Sequence, residues 1–236
     1  MKTIGLIGGL SWQSSMLYYR FINEFLEMSQ KELTSAKLIL NSVNFRPYAT
    51  WQHEGNWAAI GEALQSEAKR LVQAGAEGVA VASNTMHKVA AQIKSELEQP
   101  FLSISAAISK HLESRKVQSI TLLGTRFTMS EPFLVSAIEA SFKGQIQVPT
   151  PPQQEVIHNI IFSELCQGQV KASSQAQFKA ILSALPATDA YLLACTELGL
   201  LAQGMEEEFL FLDSAKLHAE ALAEWSVGGD VFNLEN

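Results

Sequence analysis

Short apolar runs that break off into small polar residues punctuate the chain. Val79-Ala80-Val81-Ala82 ends abruptly in Ser83-Asn84-Thr85-Met86-His87, and an Ala-, Lys- and Gln-rich helical pattern follows to about Glu98. Tyr191-Leu192-Leu193-Ala194 ends in the same way in Cys195-Thr196-Glu197-Leu198. Each reads as a buried strand running into a helix N-terminus. Free backbone N–H groups and the positive end of a helix dipole converge at such a junction.

Around these two junctions strands and helices alternate. Residues 3–7 predict a first strand and Gly8-Gly9-Leu10-Ser11-Trp12 the loop after it. A helix follows, capped by Ser14 or Ser15, with Met16, Tyr19, Phe21, Ile22 and Phe25 as its apolar stripe. Residues 36–43 predict a second strand, and 44–55 a polar, aromatic-rich loop carrying Arg46, Pro47, Gln52 and His53. Residues 57–74 predict an amphipathic helix stopped by Gly75, and 100–104 a fourth strand. This alternation implies βαβ units and parallel sheets.

The pattern then restarts. Leu122-Leu123-Gly124-Thr125-Arg126-Phe127-Thr128-Met129 repeats the first strand and glycine loop, and Gly8 to Ser83 spans nearly the same length as Gly124 to Cys195. Phe101-Leu102-Ser103-Ile104 and Phe211-Leu212-Asp213-Ser214 follow the two junctions at similar offsets. Three landmarks in the same order point to an internal duplication. The expected fold is α/β: two pseudo-symmetric domains, each a short parallel sheet flanked by helices, with the active site in the cleft between them. The expected boundaries are 1–103 plus about 210–236 for the Ser83 side, and 104–209 for the Cys195 side.

Composition narrows the classes. Apolar residues make up 47% and charged residues 17%, so the chain is globular, and a net charge of −7 argues against a nucleic-acid partner. Two cysteines, Cys166 and Cys195, form no disulfide framework and fit a reducing, cytoplasmic setting. The apolar start is broken by Gly8 and Gly9 and predicts a strand rather than a secretory leader. No apolar run approaches the ~18 residues of a membrane span. No CxxC, HExxH or clustered His/Cys/Asp spacing is present, so no metal is expected, and no lysine sits in a pyridoxal context. The Gly8-Gly9 loop is neither GxGxxG nor a P-loop.

Ligands of open parallel sheets bind beyond the carboxyl ends of the strands. Here the loops 8–12, 83–87, 124–129 and 195–198 lie at such ends. Two acid/base groups on opposite faces of one carbon are what stereoinversion requires, with nearby donors to stabilise an enolate-like anion. A thiol suits the task, because its pKa of ~8.5 falls near a helix N-terminus. Cys195 stands in that setting. Cys166 falls on a helical apolar stripe and is expected in the core.

At these motifs the chain resembles the aspartate/glutamate racemase family. The resemblance rests on residues 1–12, Ser83-Asn84-Thr85-Met86-His87, 122–129 and Cys195-Thr196-Glu197-Leu198, in order over nearly the whole chain. It implies a cofactor-independent racemase of acidic amino acids, a cytoplasmic homodimer with two catalytic cysteines. The second corresponds to Cys195; the first corresponds to position 83, which is serine here. It also implies Asn84, Thr85, Thr125 and Thr196 as carboxylate and amino-group ligands, Leu10 and Gln52 as pocket members, and Glu197 as a group that positions or activates Cys195. Arg46 stands in a loop where some racemases place a carboxylate-binding arginine.

Ser83 departs from the pattern. A hydroxyl is a far weaker acid than a thiol, and no His or Lys is adjacent in sequence to activate it. An engineered Cys→Ser exchange, a one-sided enzyme working on the L face through Cys195, and a drifted chemistry each account for it. The drifted chemistry would be a single-cysteine malonate decarboxylase; a catalytically silent acidic amino-acid-binding protein is the reading outside catalysis. Lys171 is a second candidate for the distal carboxylate. His87 is read as a helix-surface or subunit-contact residue, with polarisation of the site as its functional alternative.

Overall fold

The computed structural model describes residues 1–31 and 33–232. Its elements run β1 (Ile4–Gly8), α1 (Trp12–Gln30), β2 (Leu38–Ser42), α2 (Phe45–Glu54), α3 (Trp57–Gln73) and β3 (Gly78–Val81). A 3-10 turn (Thr85–Val89), α4 (Ala90–Lys94) and α5 (Ile104–Ser114) follow. The second run is β4 (Ser119–Gly124), α6 (Arg126–Ser130), α7 (Pro132–Glu139), β5 (Gln145–Gln147), α8 (Pro151–Ser163), a 3-10 turn (Leu165–Gln167) and α9 (Ala172–Ala184). It closes with β6 (Ala190–Ala194), α10 (Leu198–Ala202), β7 (Phe211–Asp213) and α11 (Ser214–Ser226). Two compact units result: Met1–Ala107 with the chain from Ala215, and Ile108–Ser214. No helix among the described residues is long and apolar enough to cross a membrane.

The first unit holds a parallel sheet in the order β2-β1-β3. Ile4 pairs with Leu38 on one side and Gly78 on the other. Alternate residues of these strands feed two different cores. Ile4, Leu6, Ala80 and Ala82 pack with Tyr18, Ile22 and Leu26 of α1 and Leu222 and Trp225 of α11. Ile7, Val79 and Val81 pack with Ile60, Leu64 and Leu71 of α3. Burial on both faces explains why β1 and β3 read as unbroken apolar runs instead of alternating ones. Gly5 permits this packing, since a Cβ there would lie 2.7 Å from that of Ala76.

The second unit repeats the order as β5-β4-β6 and adds β7, all parallel. The strand at Phe211–Asp213 pairs with β6, so it belongs to this sheet, and the chain joins the first unit from Ala215 rather than from about 210.

Several local expectations are corrected. Residues 44–55 are helical: Asn44 caps α2 by accepting the Arg46 N–H at 3.2 Å, and Gly55 ends it at φ +70°. Pro47 lies in the first turn, where a missing N–H costs nothing. α1 starts earlier than the serines suggest. Ser11 is its cap, and Ser14 and Ser15 lie on the buried face with Tyr18, Ile22 and Leu26. Met16 and Tyr19, expected in the apolar stripe, are exposed, while Phe21 and Phe25 are partly buried. The helix expected to reach Glu98 is a 3-10 turn and a five-residue helix. The strand expected at 100–104 is a single bridge between Val79 and Phe101, because α5 starts at Ile104.

Two neutral histidines are sealed into the first unit. The Leu102 carbonyl can only accept, so His218 donates to it from Nε2 at 2.9 Å and accepts a hydrogen bond from the Tyr18 hydroxyl on Nδ1 at 2.9 Å. Burial depresses the His218 pKa to about 3, with His87 adding to the effect, and burial depresses that of His87 to about 4. The unfolded chain binds protons near pH 6.5 that these rings refuse in the fold. Stability is therefore full above that pH and falls as pH drops toward 4, by about 1.4 kcal/mol per pH unit for each such proton. Urea denaturation should show a lower midpoint at pH 5 than at pH 7, and His218→Asn should reduce that difference. Equal midpoints for the wild-type chain at the two pH values would refute it.

Candidate active site

In the first unit the loops after β1 and β3 stand at the carboxyl ends of adjacent strands. Gly9 turns the first loop at φ +78°, where a Cβ would collide with the Val43 carbonyl, and its N–H donates to Ser15 Oγ at 2.8 Å. Leu10 is buried behind it. The second loop sets Ser83 half-buried, with Asn84 and Thr85 buried beside it. Ser83's carbonyl accepts a hydrogen bond from His87 Nδ1 at 2.8 Å, and His87 Nε2 accepts the Ile104 N–H at 3.2 Å. His87 is thus buried, not on a helix surface. Both of its nitrogens are committed, so it has none to offer the Ser83 hydroxyl.

The loop expected at 44–55 places its candidates on α2. Gln52 is buried there. Arg46 lies in the first turn, exposed and without an ion pair among the described residues. Lys171 differs: its Nζ lies 3.3 Å from Glu164 Oε1, and Glu164 also accepts from Ser174 Oγ at 2.8 Å. The Ser174 hydroxyl, then Lys171, hold the Glu164 carboxyl below its ordinary range.

In the second unit Thr125 follows β4, caps α6 and meets Thr128 Oγ1 at 3.0 Å. The spacing of Thr125 and Thr128 is the sequence signal of that cap. Beyond β6, Cys195 Sγ donates to Glu197 Oε2 at 3.1 Å, and Thr196 Oγ1 donates to the same oxygen at 2.6 Å. Thr196 and Glu197 are buried and Cys195 is half-buried.

The thiol's acidity runs opposite to the expectation. Burial, then the Glu197 carboxylate, push Cys195 well above its ordinary pKa. The helix after it, α10, has five residues, and its dipole does not outweigh a full negative charge at hydrogen-bond distance. Cys166, expected in the core, is exposed on the turn at Leu165–Gln167.

Among the described residues no group of three or more His, Cys, Asp or Glu side chains is placed to hold a metal. Cavities of about 300 Å³ beside Pro152 and Ile181, and about 370 Å³ at the N-terminal ends of β4 and β5, are lined by none of the candidate site residues.

A sequence model of Asp/Glu/hydantoin racemases matches residues 7–222. The structure is similar to that of a candidate Asp/Glu racemase from Yersinia pestis, at 33% identity and a TM-score of 0.86 over 96% of this chain and 100% of that one. It is also similar to an aspartate racemase homologue from Pyrococcus horikoshii OT3, at 31% identity and a TM-score of 0.81 over 96% and 100%. A Francisella tularensis glutamate racemase crystallised with D-glutamate has the same fold at 14% identity, with a TM-score of 0.69 over 100% and 84%.

Replacing Glu197 by Gln removes the negative charge that opposes thiolate formation. The pH midpoint for alkylation of Cys195 by iodoacetamide, followed by peptide mass spectrometry to separate it from Cys166, should move down in Glu197→Gln. An unchanged or higher midpoint would show that the carboxylate does not set the thiol's acidity.

Proposed function

The chain belongs to the Asp/Glu/hydantoin racemase family, and we propose that it is a cofactor-independent amino-acid racemase of aspartate, glutamate or both, working mainly from the L face. Cys195 removes the Cα proton of the L-enantiomer as a thiolate and returns a proton as a thiol. Position 83 belongs to the opposite face, where a serine or a water is a poor base but a serviceable donor. Asn84, Thr85, Thr125 and Thr196 hold the substrate's carboxylate and amino groups, and Leu10 and Gln52 form pocket wall. Arg46, without an ion pair among the described residues, takes the distal carboxylate in preference to Lys171, which is paired with Glu164. The family resemblance extends the reading to a cytoplasmic homodimer.

The observation that carries this reading is the 3.1 Å hydrogen bond between Cys195 and Glu197. A thiol with a raised pKa is a strong base once its proton is gone, and Glu197 is placed to take that proton. In the productive state Cys195 is a thiolate facing Cα. Abstraction then yields a thiol and an enolate-like carbanion; reprotonation by that thiol restores the thiolate and the L-substrate, and reprotonation from the position-83 face by serine or water gives the D-enantiomer. The nearby His87 offers Ser83 no such partner, because both of its nitrogens are already bonded.

The same protonated thiol favours a second reading. A decarboxylase of disubstituted malonates needs one proton donor after carbon dioxide leaves, and Cys195 is one. The buried polar residues Asn84, Thr85, Thr125 and Thr196 suit an acidic amino acid better than an apolar malonate.

The test is Cα hydrogen–deuterium exchange of L- and D-aspartate and glutamate in D₂O by NMR. L-substrates should exchange, and Cys195→Ala should lose that exchange by at least about 100-fold. Ser83→Cys should open exchange of D-substrates. Equal exchange of both enantiomers by the wild-type chain would refute the one-sided scheme. Exchange of none, with release of carbon dioxide from a disubstituted malonate, would favour the decarboxylase. Tight binding of aspartate with neither reaction would leave a silent binding protein.

A further inference from the structure

We propose that His87 is a positioning residue that fixes the peptide unit between Ser83 and Asn84 and so sets the direction in which the Asn84 N–H meets the substrate's carboxylate. The inference rests on the racemase reading and deepens it.

The segment that carries position 83 has little backbone order of its own. After β3 it forms a five-residue 3-10 turn and a five-residue helix, and 3-10 hydrogen bonds are poorly aligned. What holds the turn is a side chain. The Ser83 carbonyl has no proton to give, so His87 Nδ1 carries the hydrogen of their 2.8 Å contact. Nε2 is then a bare acceptor, which suits the Ile104 N–H at 3.2 Å. Ile104 opens α5, and a helix's first N–H groups have no partner within the helix. One neutral imidazole therefore fastens the end of β3 to the start of an eleven-residue helix.

The ring has no freedom to swing away. It is buried, with Phe101 at 5.7 Å and His218 at 5.9 Å between ring centroids. His218 is itself held by Tyr18 and by the carbonyl of Leu102, two residues before Ile104. Turning the His87 ring over would put C–H groups where the donor and acceptor now stand and would break both bonds.

Planarity carries the constraint to the site. In a trans peptide the carbonyl of residue 83 and the N–H of residue 84 point in opposite directions, so fixing one fixes the other. With the Ser83 carbonyl drawn to the buried imidazole, the Asn84 N–H is aimed away from it. A donor held in that direction stabilises the negative charge that grows on the carboxylate as Cα loses its proton. Misdirecting it should slow the chemical step more than it weakens ground-state binding.

Two substitutions separate this role from a purely structural one. The side-chain amide of His87→Asn lies near the place of Nδ1 and can still donate to Ser83. That of His87→Gln reaches the place of Nε2, can still accept from Ile104, and loses the Ser83 bond. With wild type measured in parallel, kcat for Cα exchange of the L-substrate should fall ~10–100-fold in His87→Gln, with KM within ~3-fold. His87→Asn should stay within ~3-fold of wild type. Equal losses in the two variants, a loss confined to KM, or no loss would overturn the inference while leaving the racemase reading intact. Absence of exchange in wild type would overturn both. A measurement independent of activity is the long-range ¹H–¹⁵N correlation of the ring at pH 7. It should show the proton on Nδ1 of His87, and a proton on Nε2 would overturn the assignment.

Discussion

A parallel strand buried on both faces carries few polar side chains until it ends, and that constraint organises this molecule; Thr121 in β4 is buried with its hydroxyl bonded to Gln147. β1, β3, β4 and β6 are sealed between helices, so apolar or small residues fill nearly the whole of each. Polar chemistry appears where cover stops, in Gly9 to Ser11, Ser83 to Thr85, Thr125, and Cys195 to Glu197. Because all strands of a sheet are parallel, these points fall at its carboxyl edge. Apart from α1, the helices that follow have five residues each, so side chains rather than dipoles decide the electrostatics there.

That division of labour explains the state of Cys195. A thiol at the end of a buried strand is already hard to ionise, and a carboxylate 3.1 Å away makes it harder. A positive charge brought near the pair would offset the cost of a thiolate.

Much of this was legible because packing writes itself into sequence with a simple period. The unbroken apolar runs located β1, β3, β4 and β6, and the repeated order of glycine loop and polar strand end exposed the duplication now seen as the sheet orders β2-β1-β3 and β5-β4-β6. What escaped depended on contacts between residues distant in the chain. Pro47 and a polar composition concealed α2, although Asn44 and Gly55 are ordinary caps. Met16 and Tyr19 look as buriable as Tyr18, and only the helix start at Ser11 decides which face turns inward. Cys166 continued an apolar stripe that the structure ends at Ser163. The acidity of Cys195 was misjudged because spacing shows a helix start but not its length. The bonding of His87 to Ile104 joins residues seventeen apart, which no periodicity reports.

The asymmetry between positions 83 and 195 follows from what each loop does with its neighbours. In the second unit the side chain two residues after Cys195 turns back onto the thiol and becomes its proton partner. In the first, the ring four residues after Ser83 turns back onto the backbone carbonyl and is used up there. The two loops therefore differ in what stands beside the side chain that opens them: a carboxylate at Cys195, and an imidazole already bonded to backbone at Ser83.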